Sequence, residues 1–380
     1  METFQASVVD GMYSGMLIMS SLQGFVLAAI LFFHARLKSR SNQFLALSLF
    51  AVSIVVLYDG LYYVNLNNLA DSILAFLPIY LTSPISIGIY FFVTYLIHPK
   101  HQLTSWEKWW PVPIILEVFL QIGLIIINVY SESGTISISE KSIILIEQSI
   151  GLPTSLILIP LALKKVYHYH TFLFQNYSTI AQKDLKWLRR ALLLKYGLTL
   201  LWLVSFIFEW AGFSVNLIYE ILTLSLAIVL FGISYFLLLH YHLFQIVPIQ
   251  TAERTQDNYP KKLSPKTDQY YDVLKDLMQN EALYKNSSLT LSMLAERLEI
   301  SSGYLSQIIN EKEQKNFFEF INHYRIEAVK SNLVDKKFDQ YSIMGIASEC
   351  GFSSKSAFNS VFKKLTGYTP SAYKKRHHPR

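Results

Sequence analysis

The sequence predicts an all-α chain in which a bundle of seven transmembrane helices precedes a cytoplasmic domain with two helix-turn-helix units. Three observations predict it. Apolar stretches of about 20 residues, the length a helix needs to cross a bilayer core of about 30 Å, recur seven times before residue 250. Lys and Arg in the short loops between them fall almost wholly on one side. Residues 289–380 then repeat one pattern of apolar positions at an interval of 52 residues.

Composition supports the division. Of 380 residues, 52% are apolar and 16% charged, well below the roughly 25% charged that is usual for soluble domains. Residues 1–250 hold 13 Lys+Arg and 12 Asp+Glu, whereas residues 251–380 hold 20 and 15. A near-neutral, lipid-like part is thus joined to a basic, water-soluble one. This excludes a single globular enzyme, a fibrous protein and a disordered chain. The single cysteine, Cys350, excludes an intramolecular disulfide framework and a cysteine-based zinc site. No phosphate-binding glycine loop, zinc-ligand spacing or nucleophile–base motif occurs, so no catalytic residue, metal or cofactor is expected and the chain is not expected to be an enzyme.

The spans run Met12–Phe33, Phe44–Val64, Ile73–Ile97, Trp110–Tyr130, Ile143–Leu163, Ala191–Phe213 and Ile218–His240. The first is not expected to be a signal peptide: residues 1–11 carry Glu2 and Asp10 but no Lys or Arg, and the apolar run is too long. The loops after spans one, three and five hold 11 basic residues, from Arg36 to Arg190, whereas those after spans two, four and six hold Lys141 alone. Lys195 lies near the start of span six, on the basic side. The positive-inside rule then puts the N-terminus outside and the C-terminal domain in the cytoplasm.

Ionisable groups within spans are costly and mark candidate functional positions. Asp59, Glu147, Glu209 and Glu220 map to the outer halves of their helices, near Tyr58, Tyr62, Tyr63, Trp202 and Trp210. They either line a water-filled outer cavity for a cationic or protonatable ligand, with cation–π attraction from the rings, or meet water at the interface beside an aromatic belt. Glu117 lies deeper and must be protonated or hydrogen-bonded. Pro78, Pro84, Pro153 and Pro160 are expected to kink spans three and five. The loop from Lys164 to Arg190 has room for a juxtamembrane helix, whose basic side chains either meet anionic head groups or relay to the C-terminal domain. His34, His98, His101, His168 and His170 read as loop or interface histidines.

Residues 243–268, with Pro248, Pro260 and Pro265, form a polar linker. In "QYYDVLKDLMQNEALY" the spacing of Tyr271, Leu274, Met278 and Leu283 predicts a helix that packs on the domain at 269–380, or one that dimerises. The first repeat unit, "LTLSMLAERLEISSGYLSQIIN", has Met293, Leu294 and Leu298 on one face, Ser301 or Ser302 as N-cap, then Tyr304, Leu305, Ile308 and Ile309. The second, "YSIMGIASECGFSSKSAFNSVFKKLTG", has Ile343, Ile346, Cys350 and Phe352, Ser353 or Ser354 as cap, then Phe358, Val361 and Phe362. Ala295 and Ala347 are equivalent small residues that let two helices cross closely. Gly351 falls where the turn needs positive φ, and Glu299 stands at its counterpart, at a cost of roughly 1 kcal/mol if left-handed. A helix over Phe317–Asn332 joins the units.

Helix-turn-helix units place their second helix in the DNA major groove, and two on one connector can read adjacent grooves. From Tyr341 to Arg380 there are seven basic residues and one acid, against three and four from Leu289 to Lys315. Because phosphate neutralisation dominates affinity, the second unit and its "YKKRHHPR" tail are expected to anchor double-stranded DNA. A protein-interaction module is the other use of such a repeat.

The residues "SIMGIASECGFSSKSAFNSVFKKLTGYTPSAYKKR" closely resemble the C-terminal signature of the AraC/XylS family of bacterial transcription regulators. The signature positions are Ile346, Ala347, Gly351, Phe352, Phe358, Phe362, Lys363, Lys364, Gly367, Thr369, Pro370 and Tyr373. "YRIEAVKSNL" resembles that family's linker helix, and seven spans ahead of the domain resemble its membrane-bound branch. The resemblance implies base-facing positions at Gly303, Ser306 and Gln307 in the first unit and at Lys355, Ser356, Asn359 and Ser360 in the second, with Lys363 and Lys364 on phosphates. "NEKEQKN" replaces a more basic stretch, and Gly303 and Ser306 read bases poorly. The first unit is therefore expected mainly to position the domain. The whole reads as a regulator tethered in a bacterial inner membrane, with DNA, the bilayer, a small-molecule ligand and a second copy as partners. A transporter with a cytoplasmic regulatory or protein-docking module is the alternative.

Overall fold

In the computed structural model of the chain the described residues are 2–62, 81–131, 140–180, 184–240 and 266–377. Every multi-residue regular element among them is helical, and the chain divides into two units: Met1–Val166 with Trp187–Thr251, and Tyr167–Lys186 with Ala252–Arg380.

The first unit holds α1 (Glu2–Phe33), α2 (Arg40–Tyr62), α3 (Ser83–Ile97), α4 (Pro111–Ser131), most of α5 (Glu140–Asn176), α6 (Lys186–Trp210) and α7 (Asn216–His240). Five stretches are long and apolar enough to cross a membrane: Asp10–Phe33, Arg40–Leu61, Gln148–Asn176, Lys186–Trp210 and Asn216–Ile233. These fall on predicted spans one, two, five, six and seven. Span three is represented by the 15-residue α3, because residues 73–80, Pro78 included, lie outside the described residues. Span four falls on the 21-residue α4, whose side chains are described only in part. The described residues therefore give five helices of membrane-crossing length and composition where the sequence predicts seven. Tyr63 and nearly all of the 243–268 linker also lie outside them, as do the side chains of Tyr62 and Glu147.

Apolar side chains make up most of the interior of this unit, and small residues and hydroxyls stand where its helices approach closely. Gly88 on α3 meets α2 so closely that a Cβ would lie 2.6 Å from the Phe44 carbonyl oxygen, and Gly60 on α2 meets Leu17 and Ile18 of α1. Ser14 Oγ donates to Gly60 O at 2.7 Å, Ser48 Oγ to Ile85 O at 2.5 Å and Ser41 Oγ to Phe92 O at 2.9 Å. Close backbone approach and hydroxyl bonds are how helices associate where no water drives them together. Glu117, buried on α4, accepts hydrogen bonds from Ser83 N (2.9 Å), Ser83 Oγ (2.7 Å) and Thr82 Oγ1 (3.2 Å). It thereby caps α3, whose own N-cap residue Thr82 makes no side-chain bond to the helix's free backbone N–H groups. A carboxylate suits the donor-rich, positive end of a helix.

Outside the predicted spans, buried Glu107 gathers the loop after α3. It accepts from Tyr90 OH (2.6 Å), Thr104 N (2.9 Å) and Thr104 Oγ1 (2.8 Å), and it shares a hydrogen bond with His101 Nε2 at 2.7 Å. Burial pushes its pKa up, but these bonds together outweigh it and hold the carboxyl at about 2.

The second unit contains α8 (Thr267–Gln279), α9 (Leu291–Arg297), α10 (Ser302–Glu313), α11 (Phe317–Val334), α12 (Ile343–Glu349), α13 (Lys355–Thr366) and α14 (Pro370–His377). The repeat is plain in the lengths: α9 and α12 each have seven residues, and α10 and α13 twelve. The caps are Thr290, Ser301, Ser342 and Ser354, whose hydroxyls accept from Met293 N, Tyr304 N, Gly345 N and Ala357 N. Of the two serines offered at each second helix, the turn selects Ser301 and Ser354. Two cores result. Leu274, Met278, Leu294, Leu305, Ile309, Phe317 and Ile321 belong to the first. Ile326, Val329, Ile346, Cys350, Phe358 and Phe362 belong to the second. α11 supplies both, and the change-over falls between Ile321 and Ile326. The helix predicted at "QYYDVLKDLMQNEALY" is α8, and it packs into the first core. Among the described residues the stretch from Lys164 to Arg190, which has room for a juxtamembrane helix, forms no separate one: α5 continues to Asn176, and α6 starts at Lys186.

Gly351 has φ of 95° and its counterpart Glu299 has φ of 55°, so both turns use the left-handed region and only one has the residue suited to it. The turns close alike, with Ile300 N bonded to Ala295 O at 3.1 Å and Phe352 N to Ala347 O at 3.0 Å. Gly351 is constrained twice, since a Cβ there would lie 2.5 Å from the Tyr284 carbonyl oxygen and 2.9 Å from Arg325 Nε.

Two outcomes follow. Gly351→Ala is expected to cost about 2 kcal/mol or more through backbone strain and collision, whereas Glu299→Gly is expected to be neutral or to stabilise by up to about 1 kcal/mol. Hydrogen exchange of the α12 and α9 amides in the full chain measures both. Because the Glu107 pKa is depressed, its contribution to stability is present above its unfolded value of about 4.5 and is lost as pH falls towards about 2. Acid unfolding of Glu107→Gln should be the less pH-sensitive between those limits.

Candidate nucleic-acid interface

The second repeat unit builds an exposed helix face on a buried one. Phe358 and Phe362 turn one side of α13 into the core, with ring centroids 5.2 Å from Phe352 and 5.5 Å from Tyr373 respectively. Helical periodicity then commits Ser356, Ser360 and Lys363 to the far side with Asn359 on the flank, Lys355 stands in the first turn, and all five are exposed. Gly367, with φ of 78°, ends α13, and Pro370 starts α14, which carries Lys374, Lys375 and Arg376. The stripe offers an amide and two hydroxyls for base edges between two lysines, the mixture that groove reading and phosphate contact need. Arg380 and the rest of 378–380 lie outside the described residues.

The predicted phosphate-contacting lysines are not equivalent. Lys364 Nζ sits 3.0 Å from Glu319 Oε1 on α11, and Lys374 is likewise paired with Asp339 at 3.2 Å. Lys364 therefore braces α13 against α11, and it must leave a carboxylate before it can meet a phosphate.

The first unit presents a different face. Gly303, Ser306 and Gln307 lie along α10 as the repeat implies, but each is half-buried. α8 packs along α10, with Thr267 Oγ1 2.9 Å from Tyr304 OH, Tyr271 OH donating to Glu313, and Lys312 bonded to Asp268. Acidic and aromatic groups occupy the flank where a phosphate-binding helix would carry cations.

Arg325 is the buried charged residue of this domain that the sequence pattern does not single out. It is wholly buried on α11 at the boundary between the two cores. Its Nε donates to Tyr284 O (2.7 Å), Nη1 to Ser178 O (3.0 Å), Thr179 Oγ1 (3.3 Å) and Asn322 Oδ1 (3.4 Å), and Nη2 to Ser178 Oγ (3.0 Å) and Asn286 O (2.8 Å). The guanidinium also lies 5.8 Å from the Phe352 ring centroid. Burial pulls its pKa down to about 10, so it stays charged at neutral pH. The available signal was an arginine amid the apolar face of "YRIEAVKSNL". Its partners at 178–179 and 284–286 are far away in sequence and carried no mark.

Two of the four candidate ligand carboxylates, Asp59 and Glu209, bridge helices of the first unit. Asp59 accepts from Thr223 Oγ1 at 2.5 Å, joining α2 to α7. Glu209 accepts from Tyr219 OH at 2.5 Å, and Tyr219 also meets Gln148, joining α6, α7 and α5. Glu220 is half-buried on α7, and its backbone oxygen accepts from Tyr13 OH at 3.2 Å. The side chain of Glu147 lies outside the described residues. Among the described residues no group of three or more His, Cys, Asp or Glu is placed to hold a metal ion.

Two capped helix pairs on one connecting helix, one bearing an exposed polar and basic stripe, define a double helix-turn-helix DNA-binding domain. Residues 294–376 match the family model of a helix-turn-helix domain, and the C-terminal part of the chain is of the AraC type. The HTH-type transcriptional regulator YijO of Escherichia coli (strain K12) is 29% identical over 130 residues, which is 34% of this chain and 40% of that protein. The melibiose operon regulatory protein of the same organism is 32% identical over 90 residues, 24% of this chain and 29% of that one. The chain thus spans well under half the length of these relatives. The solved C-terminal domain of the two-component response regulator yesN from Fusobacterium nucleatum is 34% identical and covers 27% of this chain and 98% of its own, with a TM-score of 0.24.

Lys363→Ala should weaken all DNA sequences alike and flatten the salt dependence by about one unit of slope, whereas Lys364→Ala should change it less, because Glu319 already neutralises that charge. Asn359→Ala and Lys355→Ala should instead alter base preference at single positions by about 1–3 kcal/mol. Anisotropy titrations of labelled duplexes across a salt series distinguish the two kinds of effect.

Proposed function

We propose that the chain is a membrane-tethered, sequence-specific transcription regulator in which a signal at the outer face or within the bilayer controls a cytoplasmic DNA-binding domain. The observation that carries this is one polypeptide holding both five membrane-length apolar helices and an AraC-type double helix-turn-helix domain. Burial in the first unit supports the bilayer. Ser14, Ser48, Ser53, Ser86, Thr94, Ser155 and Ser205 are inside, while Phe119 (70% exposed) and Ile157 (60%) face out. A water-soluble bundle does not leave large apolar side chains exposed in this number, and lipid-facing helices with hydroxyls at their contacts do.

In this reading seven helices span a bacterial inner membrane, with the N-terminus outside and the linker and domain at 243–380 inside, as the loop lysines and arginines direct. The carboxylates at Asp59, Glu147, Glu209 and Glu220 lie towards the outer face and are the candidate ligand contacts. The exposed α13 stripe reads the operator, and a second copy supplies a second operator half.

Chromatin recovery from intact cells with the full chain is expected to enrich discrete sites, while fractionation leaves the protein in the membrane. Enrichment of no discrete site overturns the regulator. Release of the protein by high-salt or carbonate washing overturns the integral tether.

A further inference from the structure

We propose that residues 177–179, the short segment at the end of α5, are a docking element that sets the geometry of the two DNA-binding units by completing the coordination of Arg325. The proposal rests on the reading above and gives it a route of control.

The DNA-binding unit has a built seat for this segment. Tyr177 forms an antiparallel bridge with Thr290, the cap of α9. Ser178 N and Oγ both donate to Leu289 O, at 3.2 and 2.7 Å. Asn322 Nδ2 donates to Ser178 O at 3.0 Å, and Phe174 packs edge-to-face on Phe318 with centroids 5.0 Å apart. Ser178 is fully buried, which a connecting loop rarely is. Beyond it, Asp184 meets His170 Nε2 at 2.6 Å and accepts from Lys186 N at 3.0 Å.

Three of the six hydrogen bonds made by Arg325 end on this segment. Removing it would leave Nη1 with only the 3.4 Å contact to Asn322 Oδ1, inside a protein core. A buried charge short of acceptors is not tolerated, so the guanidinium must move or admit water. It cannot do so alone. Nε holds the Tyr284 carbonyl against which Gly351 is packed, and the guanidinium faces Phe352, so its displacement loosens the second unit from the first. The exposed stripe on α13 is not covered by the segment. Docking therefore fixes the spacing of the units rather than blocking the DNA face, and undocking should cost binding to a site that needs both.

α5 supplies the mechanical link. Its 37 residues, Pro153 and Pro160 among them, amount to about 55 Å of helical rise along the chain, more than the 30 Å of a bilayer core, and it ends one residue before the docking element. A shift or turn of α5 within the membrane is delivered directly at Ser178.

The test uses the full chain in lipid nanodiscs and duplexes that the wild-type chain selects from a random pool. Ser178→Ala removes an acceptor of Arg325, and Thr179→Val removes another while keeping shape. Each is expected to lower affinity for the selected duplex, Ser178→Ala about tenfold and Thr179→Val less, with the salt slope unchanged. Affinity for a duplex trimmed to the part protected by α13 should stay within about twofold of wild type, because loss of spacing is felt only when both units engage. Affinities within twofold of wild type on the full duplex, while deuterium exchange at 177–180 rises, would overturn the proposal, as would an equal loss on both duplexes. Failure of the wild-type chain to select any duplex overturns the regulator reading itself, a result separable from the others. If Ser178→Ala does not fold, Thr179→Val decides alone.

Discussion

A single buried cation organises the DNA-binding unit. A guanidinium costs several kcal/mol to take out of water, and Arg325 is compensated chiefly by neutral oxygens: the carbonyls of Ser178, Tyr284 and Asn286 and the side-chain oxygens of Ser178, Thr179 and Asn322. Such a set must be assembled from separate parts of the chain, and assembling it fixes where those parts stand. A fork with five donors suits the task, because a lysine offers a point charge and could not hold three segments in fixed directions at once. The requirement also runs in reverse. Once these carbonyls are aimed at the fork, a neutral replacement would leave them buried without donors.

The position of Arg325 explains features of the second repeat that the first lacks. The residue lies where α11 passes from one core to the other, so each repeat unit must approach it. The second unit does so through its turn, and the space there admits no Cβ at Gly351. At the equivalent turn of the first unit Glu299 takes the same left-handed backbone with a side chain, since no fork packs against it. Two copies of one motif thus keep the same backbone for geometric reasons, while only one needs glycine for a packing reason as well. The serine and threonine caps show the other side of this, since both units need them equally and both have them.

Legibility in the sequence followed locality. Helix spacing, cap serines and the left-handed turn depend on neighbours within about eight residues, and each could be read directly, whereas the base-facing positions of α13 came from the family resemblance. Apolar length likewise marked the membrane-length helices, although α5 runs on to Asn176, beyond the predicted end at Leu163, because no Gly or Pro between Lys164 and Asn176 breaks the helix. What stayed hidden depended on contacts across the chain. Glu117 looked like a lone intramembrane acid until the end of α3 was placed beside it. The half-burial of Gly303, Ser306 and Gln307 belongs to an α10 flanked by α8. Ser178 is one polar residue among many in a polar loop, and only its distant partners distinguish it.

These contacts bear on how the two DNA-binding units divide the work. A helix whose candidate base-facing residues are half-buried, and whose flank is occupied by Asp268 and Tyr271, is poorly equipped to capture a polyanion. A helix exposing Lys355, Asn359 and Lys363 is well equipped to do so. Electrostatic capture should therefore begin at α13, with the first unit reaching the duplex only as far as the rigid connection allows. Under that division, regulation need not touch the helix that binds first. It is more economical to act on the connection, because a small loss of rigidity there penalises simultaneous engagement while leaving nonspecific affinity intact. Arg325 stands at that connection, and the segment that satisfies it is covalently continuous with a helix of membrane-crossing length.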